Sequence, residues 1–365
     1  MTVNRPAEFS PPLHGIRGLA VLLVVFSHLG NAGFSLPLLR HNSIGKTGVW
    51  MFFVLSAYLL TSRLYEAVQR YGPSVDLILA YFVQRVSRIY PLLAFVLTLH
   101  VFFSGFGQAT VIEHLLLIDG RAELWAIPVE FKYYLIIPII VLSTHVARLR
   151  VVIGLLLLAV AAATAYSVFT PFDISNLLSL VPRATPFLVG SMAGLLFGRG
   201  IRITWEHPPR FSWWQFSPLV LLLACATFFR FASLEWRSPI GALLSPWVDL
   251  LMSLTVVAAI YSTFRWQTMR VIFGSKLLVF LGKISFSVYL LHMFVINFML
   301  RQHVPIGPAL MPWIILLVSI ALATVTYLTI ELPGIRVGKK VSTALSKSSY
   351  YRRQEKIPHA VKPAG

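Results

Sequence analysis

RGLAVLLVVFSH, residues 17 to 28, is the stretch whose reading decides the fold class. The residues between Arg17 and His28 are apolar apart from Gly18 and Ser27. Extended to residue 37, the run supplies the ~20 residues that a helix needs to cross the hydrocarbon of a membrane. Eleven steps at roughly 100° come to about three full turns, so Arg17 and His28 share one helix face, about 16 Å apart along the axis. A polar residue at each end of one face of an apolar helix is an arrangement that needs a reason.

Working outward, the rest of the chain has the same character. It is 57% hydrophobic and 12% charged, against about 25% charged in soluble domains. Ten apolar stretches stand out, at 17 to 37, 47 to 63, 89 to 107, 123 to 143, 151 to 169, 184 to 199, 214 to 232, 240 to 264, 277 to 299 and 309 to 330. The expected fold is therefore an all-α integral membrane protein, a bundle of about ten transmembrane helices. The first fifteen residues hold Pro6, Pro11 and Pro12 and no cleavage signal, so the first span is expected to stay in the mature protein. The single cysteine, Cys225, excludes an intramolecular disulfide.

A net charge of +18 would suit a nucleic-acid partner, but the placement of the charges points elsewhere. With the N-terminus inside, 22 of the 31 Lys and Arg fall on the cytoplasmic side of these spans. That asymmetry obeys the positive-inside rule. It puts both termini in the cytoplasm and makes the basicity a topology signal, with membrane lipids rather than nucleic acid as the partner. The organisation read from this is a transmembrane domain over residues 1–335 and a basic cytoplasmic tail over 336–365. The tail, with KKVSTALSKSSYYRRQEK, is expected to be mobile and drawn to anionic lipid, without chemistry of its own. No internal repeat and no water-soluble domain is evident.

Ionisable groups inside spans are costly, and mark either function or structural pairing within the bundle. Arg17 alone could be a snorkelling anchor, and His28 a hydrogen-bonding partner for a neighbouring helix. In YFVQRVSRIYPLL, Arg85 and Arg88 lie three apart on one face, before a span entered through Pro91. They read equally as positive-inside anchors or as a phosphate clamp, since guanidinium forks match phosphate oxygens. In ELWAIPVEFKYYLIIP, Glu130 lies one turn before Tyr134 and five residues after Trp125. A carboxylate that deep needs a partner, for which His28 or an arginine is the candidate. In GKISFSVYLLHMFVI, Ser285, Tyr289 and His292 form one polar stripe. Glu331 closes the last span in YLTIELPG. HExxH, zinc-spaced Cys and His, GxSxG and P-loop motifs are absent from the sequence, so acid/base chemistry is expected and no metal.

Taken together and in order, these stretches resemble the acyltransferase-3 family of multi-span membrane O-acyltransferases. LHGIRGLAVLLVVFSH is similar to its opening Arg and His motif, RVSRIYP to its Arg-x-x-Arg, and LWAIPVEFKYYLIIP to its Leu-Trp and Glu-x-x-Phe/Tyr-Tyr segment. GKISFSVYLLHMFVI is similar to its Gly-x-x-Ser-Tyr-x-x-Tyr-Leu-x-His signature, GVWMFFVLSAYLLTSRL to its second span, and IELPG to its closing Glu-x-Pro. His14, Trp50, Ala57, Tyr58, Phe286 and Phe294 depart from the family's usual residues.

The resemblance implies an acyl-CoA donor, most often acetyl-CoA, whose phosphates meet Arg17, Arg85 and Arg88 from the cytoplasm. It implies transfer to a hydroxyl of a sugar or glycan, such as O-antigen or exopolysaccharide, that enters from the extracytoplasmic face or is lipid-linked. His28 is expected as general base with Glu130 orienting it, in the manner of a hydrolase triad. Trp125, Tyr134, Ser285, Tyr289, His292 and Glu331 are expected to line the substrate pocket. Direct transfer is favoured, because no serine or cysteine is placed as an obvious nucleophile, with an acyl-imidazole on His28 as the variant. The implied location is the cytoplasmic, or inner, membrane. The rival reading is a proton-coupled transporter, which predicts paired repeats with matching helix breaks.

Overall fold

In hydrocarbon every backbone polar group has to be satisfied within its own segment, so apolar runs of this length fold as helices. The computed structural model describes residues 10–34, 43–120, 122–170, 178–198, 213–234, 239–302, 307 and 309–354, and every regular element among them is helical. In chain order the helices are α1 (Pro11–Asn31), α2 (Ser43–Tyr71), α3 (Val75–Ser104), α4 (Gln108–Leu115), α5 (Ala126–Val146), α6 (Leu149–Phe169) and α7 (Ala184–Phe197). They continue with α8 (Ser217–Leu234), α9 (Pro239–Arg265), α10 (Gln267–Phe273), α11 (Lys276–Lys283), α12 (Ser285–Arg301), α13 (Met311–Thr326) and α14 (Leu332–Gln354). Loop cations counted for topology at Arg5, Arg40, Arg121, Arg199, Arg202, Arg210 and Arg237 lie outside the described residues, as does the tail beyond Gln354.

Among the described residues, seven helical stretches are long and apolar enough to cross a membrane, or eight if α11 and α12 count as one span. The protein is thus a multi-pass helical bundle in which seven or eight of the ten expected spans are present by length and composition. Three expected limits are corrected. The span expected from residue 89 is the second half of α3, which begins at Val75. Ser74 caps it by accepting from the Leu77 amide at 3.2 Å, Asp76 sits in the first turn, and Gly105 at φ +71° ends it. Arg85 and Arg88 therefore lie inside a continuous helix, and Pro91 is an interior residue rather than an entry point. The stretch expected at 277 to 299 is broken at Ile284, where α11 and α12 meet at 74°. Finally, the helix of the last span does not stop at residue 330. It passes through one π-helical turn, Tyr327–Glu331, into α14, so residues 336–354 form a helix instead of the mobile tail expected.

Helix α1 lies at the centre, packed on α2, α10, α11 and α12. Its contact with α11 is backbone on backbone: a Cβ at Gly282 would fall 1.8 Å from the His14 carbonyl oxygen, and one at Gly18 2.2 Å from that of Leu278. Small residues permit this approach, the usual route to tight helix pairing where lipid tails remove the hydrophobic drive. The approach brings Arg17 against the start of α12. Helix α14 packs along the N-terminal half of α3. Pro91 has no amide to offer the Ser87 carbonyl one turn back, and Gly334 packs against that oxygen, where a Cβ would lie 2.4 Å away.

Candidate active site

The site is built from two ends of one helix pair. At the lower end, Nε of the buried Arg17 donates to Ser285 Oγ at 3.3 Å, and its guanidinium lies 5.7 Å from the centroid of the Phe52 ring. At the upper end, His28 Nδ1 and His292 Nε2 are 2.7 Å apart, with the rings stacked at 4.9 Å and 16°. Arg17 and His28 belong to α1, Ser285 and His292 to α12, so the two helices run in the same direction with a polar contact at each end.

The hydrogen bonds assign the protons at the upper end. His292 is fully buried, and its Nδ1 lies 2.7 Å from the Tyr289 carbonyl oxygen and 3.2 Å from that of Val288. A carbonyl can only accept, so His292 Nδ1 carries hydrogen and, in the neutral ring, Nε2 is a lone-pair acceptor. His28 Nδ1–H must then be the donor across the 2.7 Å contact. In neutral His28 this leaves Nε2 as the nitrogen free to take a proton. Tyr289, which fixes His292 through its carbonyl, is itself held by its hydroxyl, which donates to the Glu123 carbonyl at 2.7 Å.

Around Arg17 the helices enclose a cavity of about 450 Å³, within the range of small-molecule and cofactor sites. Arg85, Arg88, Glu130, Tyr134 and Glu331 line it together with Arg17. Tyr134 is hydrogen-bonded to Glu130. Glu331 is buried; its Oε2 accepts from Ser287 Oγ at 2.8 Å, and its Oε1 lies 3.8 Å from Arg88 Nε. The π turn that ends on Glu331 adds one residue to the helix there, the kind of local bulge often found at functional sites. Six lining side chains are Arg or Lys and two are Glu, so the cavity as built is short of negative charge. What it can hold is a polyanion.

The expected residues thus separate into two groups. Arg17, Arg85, Arg88, Glu130, Tyr134 and Glu331 share the basic cavity, with Ser285 joined to it through Arg17. His28, His292 and Tyr289 share the upper end. Trp125 stands apart from both hydrogen-bonded sets: its ring lies edge-on to Phe53 at 6.0 Å, and Arg183 lies 5.2 Å from its centroid. The hydrogen bond from His28 goes to His292, where Glu130 was the expected partner. Sequence reasoning passed over Arg63, Lys283 and Lys339, which also line the cavity, and over Lys46 and Asp249, an ion pair at 2.9 Å between α2 and α9. Arg63 and Lys339 could have been found only by knowing how the helix ends fold back over the cavity. Among the described residues no group of three or more His, Cys, Asp or Glu is placed to hold a metal ion.

A family model described as an acyltransferase domain matches residues 12–331, a segment that contains both groups of residues. The chain belongs to the acyltransferase-3 family. It is 25% identical over 306 residues to a candidate acetyltransferase of Acidianus two-tailed virus, covering 78% of this chain and 83% of that one. It is 23% identical over 385 aligned positions to candidate O-acetyltransferases of Staphylococcus aureus strains MSSA476 and MRSA252. Those alignments cover 93% of this chain but only 59% of the staphylococcal proteins. No solved structure matches the chain. The acyltransferase domain ends at Glu331, so α14 lies beyond the matched segment.

Proposed function

We propose that this acyltransferase-3 protein is a membrane O-acyltransferase that moves an acyl group, acetyl in the first instance, from cytoplasmic acyl-CoA to a hydroxyl of a sugar or glycan. The observation that carries the reading is the bonded chain Tyr289 carbonyl, His292, His28, which leaves one lone pair of His28 available at the far end of a helix whose near end opens on a basic cavity.

The basic cavity would receive the phosphates of the donor, with Arg17, Arg85 and Arg88 as the guanidinium ligands and Glu130 and Glu331 keeping them apart. From there the thioester arm extends along α1. The rise between residues 17 and 28, about 16 Å, is comparable to the reach of a pantetheine arm. An alcohol attacks a thioester poorly until a base takes its proton. His28 Nε2 takes it as the new C–O bond forms and the C–S bond breaks. The departing sulfur receives the same proton from the imidazolium, so the products are an ester and a free thiol. His292 accepts from His28 Nδ1–H throughout and thereby holds the tautomer, the task first given to Glu130. Tyr289 and Trp125 remain assigned to the acceptor side. The acceptor hydroxyl arrives from the extracytoplasmic face or on a lipid carrier.

The test is a comparison of surface glycans and small glycosides from cells with and without the gene. Loss of an ester-linked acyl group on deletion, restored by the wild-type chain and not by His28→Ala, is the expected result. An unchanged ester content would overturn the reading.

A further inference from the structure

Helix α14 does more than pack. Gly334, Gly338 and Ser342 recur every four residues and face α3: Gly334 and Gly338 approach Ser87, and Ser342 Oγ accepts from Gln84 Nε2 at 2.8 Å. The next stripe around the helix is Ile335, Lys339 and Thr343, and all three line the basic cavity, as does Ser342 at the seam between the stripes. The small-residue stripe therefore sets the rotation of the helix, and that rotation places Lys339 at the solvent-exposed rim of the cavity, while the Thr343 hydroxyl donates to the Lys339 carbonyl at 2.8 Å. Arg336 and Lys340, one position further on and exposed like Lys339, do not line the cavity.

The charge of the cavity says what these residues meet. Six lining cations against two carboxylates leave an excess of four. A CoA molecule carries about four negative charges: one on each phosphate of the diphosphate, and about two on the ribose 3′-phosphate monoester. The diphosphate alone would match only half the excess. We infer that α14 is the outer wall of the donor site and that Lys339 binds the donor's 3′-phosphate, so that the cavity distinguishes CoA from 3′-dephospho-CoA. This rests on the acyl-CoA reading above and extends it to a helix outside the matched acyltransferase domain.

The test is equilibrium binding of CoA and 3′-dephospho-CoA, at one ionic strength, to the detergent-purified full chain. Wild-type protein should prefer CoA by about tenfold, the scale of one charge-assisted contact at a solvent-open rim. Lys339→Ala should lose about that factor for CoA and almost nothing for 3′-dephospho-CoA, so that the preference collapses. Lys339→Arg should restore it, and Lys340→Ala should behave as wild type. Because the two ligands differ only at the 3′-phosphate, binding of 3′-dephospho-CoA reports whether the variant is folded. A CoA preference unchanged in Lys339→Ala, or absent in wild type, overturns the role of α14 while the donor reading stands. Failure of the wild-type chain to bind either ligand overturns the donor reading itself.

Discussion

His28 and His292 form a unit, and a unit should fail as one. Removing the His28 imidazole takes away the proton acceptor, a loss of about 10² to 10⁴ in rate. Removing His292 leaves His28 Nδ1–H without its acceptor, so the ring is free to adopt the tautomer that buries the useful lone pair. His28→Ala and His292→Ala should therefore each lower kcat with little change in donor KM, and the double variant should be no worse than His28→Ala alone. Additive losses would mean that the two rings act separately. Arg85→Ala belongs to the other group and should behave oppositely, raising the donor KM while leaving the acceptor KM near its wild-type value. Equal changes in both would remove Arg85 from the phosphates. The polar atoms themselves were legible in the sequence, since a charged or imidazole group in an apolar run has few reasons to be there. Their partners were not. Glu130 and His292 both lie far from His28 along the chain, His292 by 264 residues, and only the packing of α12 against α1 decides between them.

At the scale of elements, the contact that matters most is α1 on α11. Ser285 begins α12 directly after the 74° bend, so the bend and the approach of Gly282 to His14 together place Ser285 against Arg17. No side chain can be inserted there without moving one helix, because the opposing atom is a backbone oxygen 1.8 Å from the Cβ position. Gly282→Val should cost about 1–3 kcal/mol, seen as a lower melting temperature in detergent, and should reduce activity in the protein that remains folded. A wild-type melting temperature would show that the helices are not held in this register. The bend explains why the run 277 to 299 read as one straight span: hydrophobicity is continuous across Ile284, and a change of direction leaves no mark in composition. The same blindness concealed α14. A helix rich in Lys, Ser and Tyr has neither the composition of a span nor an apolar stripe broad enough to announce burial, and its docking on α3 rests on Gly334, Gly338 and Ser342, residues that sequence patterns associate with loops.

For the whole molecule the decisive question is which way the bundle faces, because the donor cavity must open where acyl-CoA is found. The expectation from the charge count is that the Arg17 end faces the cytoplasm, and the longest helical stretch offers a direct check. Met311–Ser346 runs for 36 residues, about 54 Å at 1.5 Å per residue, well beyond the ~30 Å of hydrocarbon. Its two ends therefore lie in different aqueous phases if it spans. Leu310 stands at one end and is 63% exposed, while Lys340, the residue after the cavity-lining Lys339, is exposed near the other. The chain has one cysteine, the buried Cys225, so Cys225→Ser provides a background on which single cysteines can be read. In intact cells a membrane-impermeant maleimide should label Leu310→Cys and leave Lys340→Cys untouched until the membrane is permeabilised. The reverse pattern would turn the basic cavity to the outside, where it could not meet cytoplasmic acyl-CoA, and the direction of transfer proposed here would fall with it.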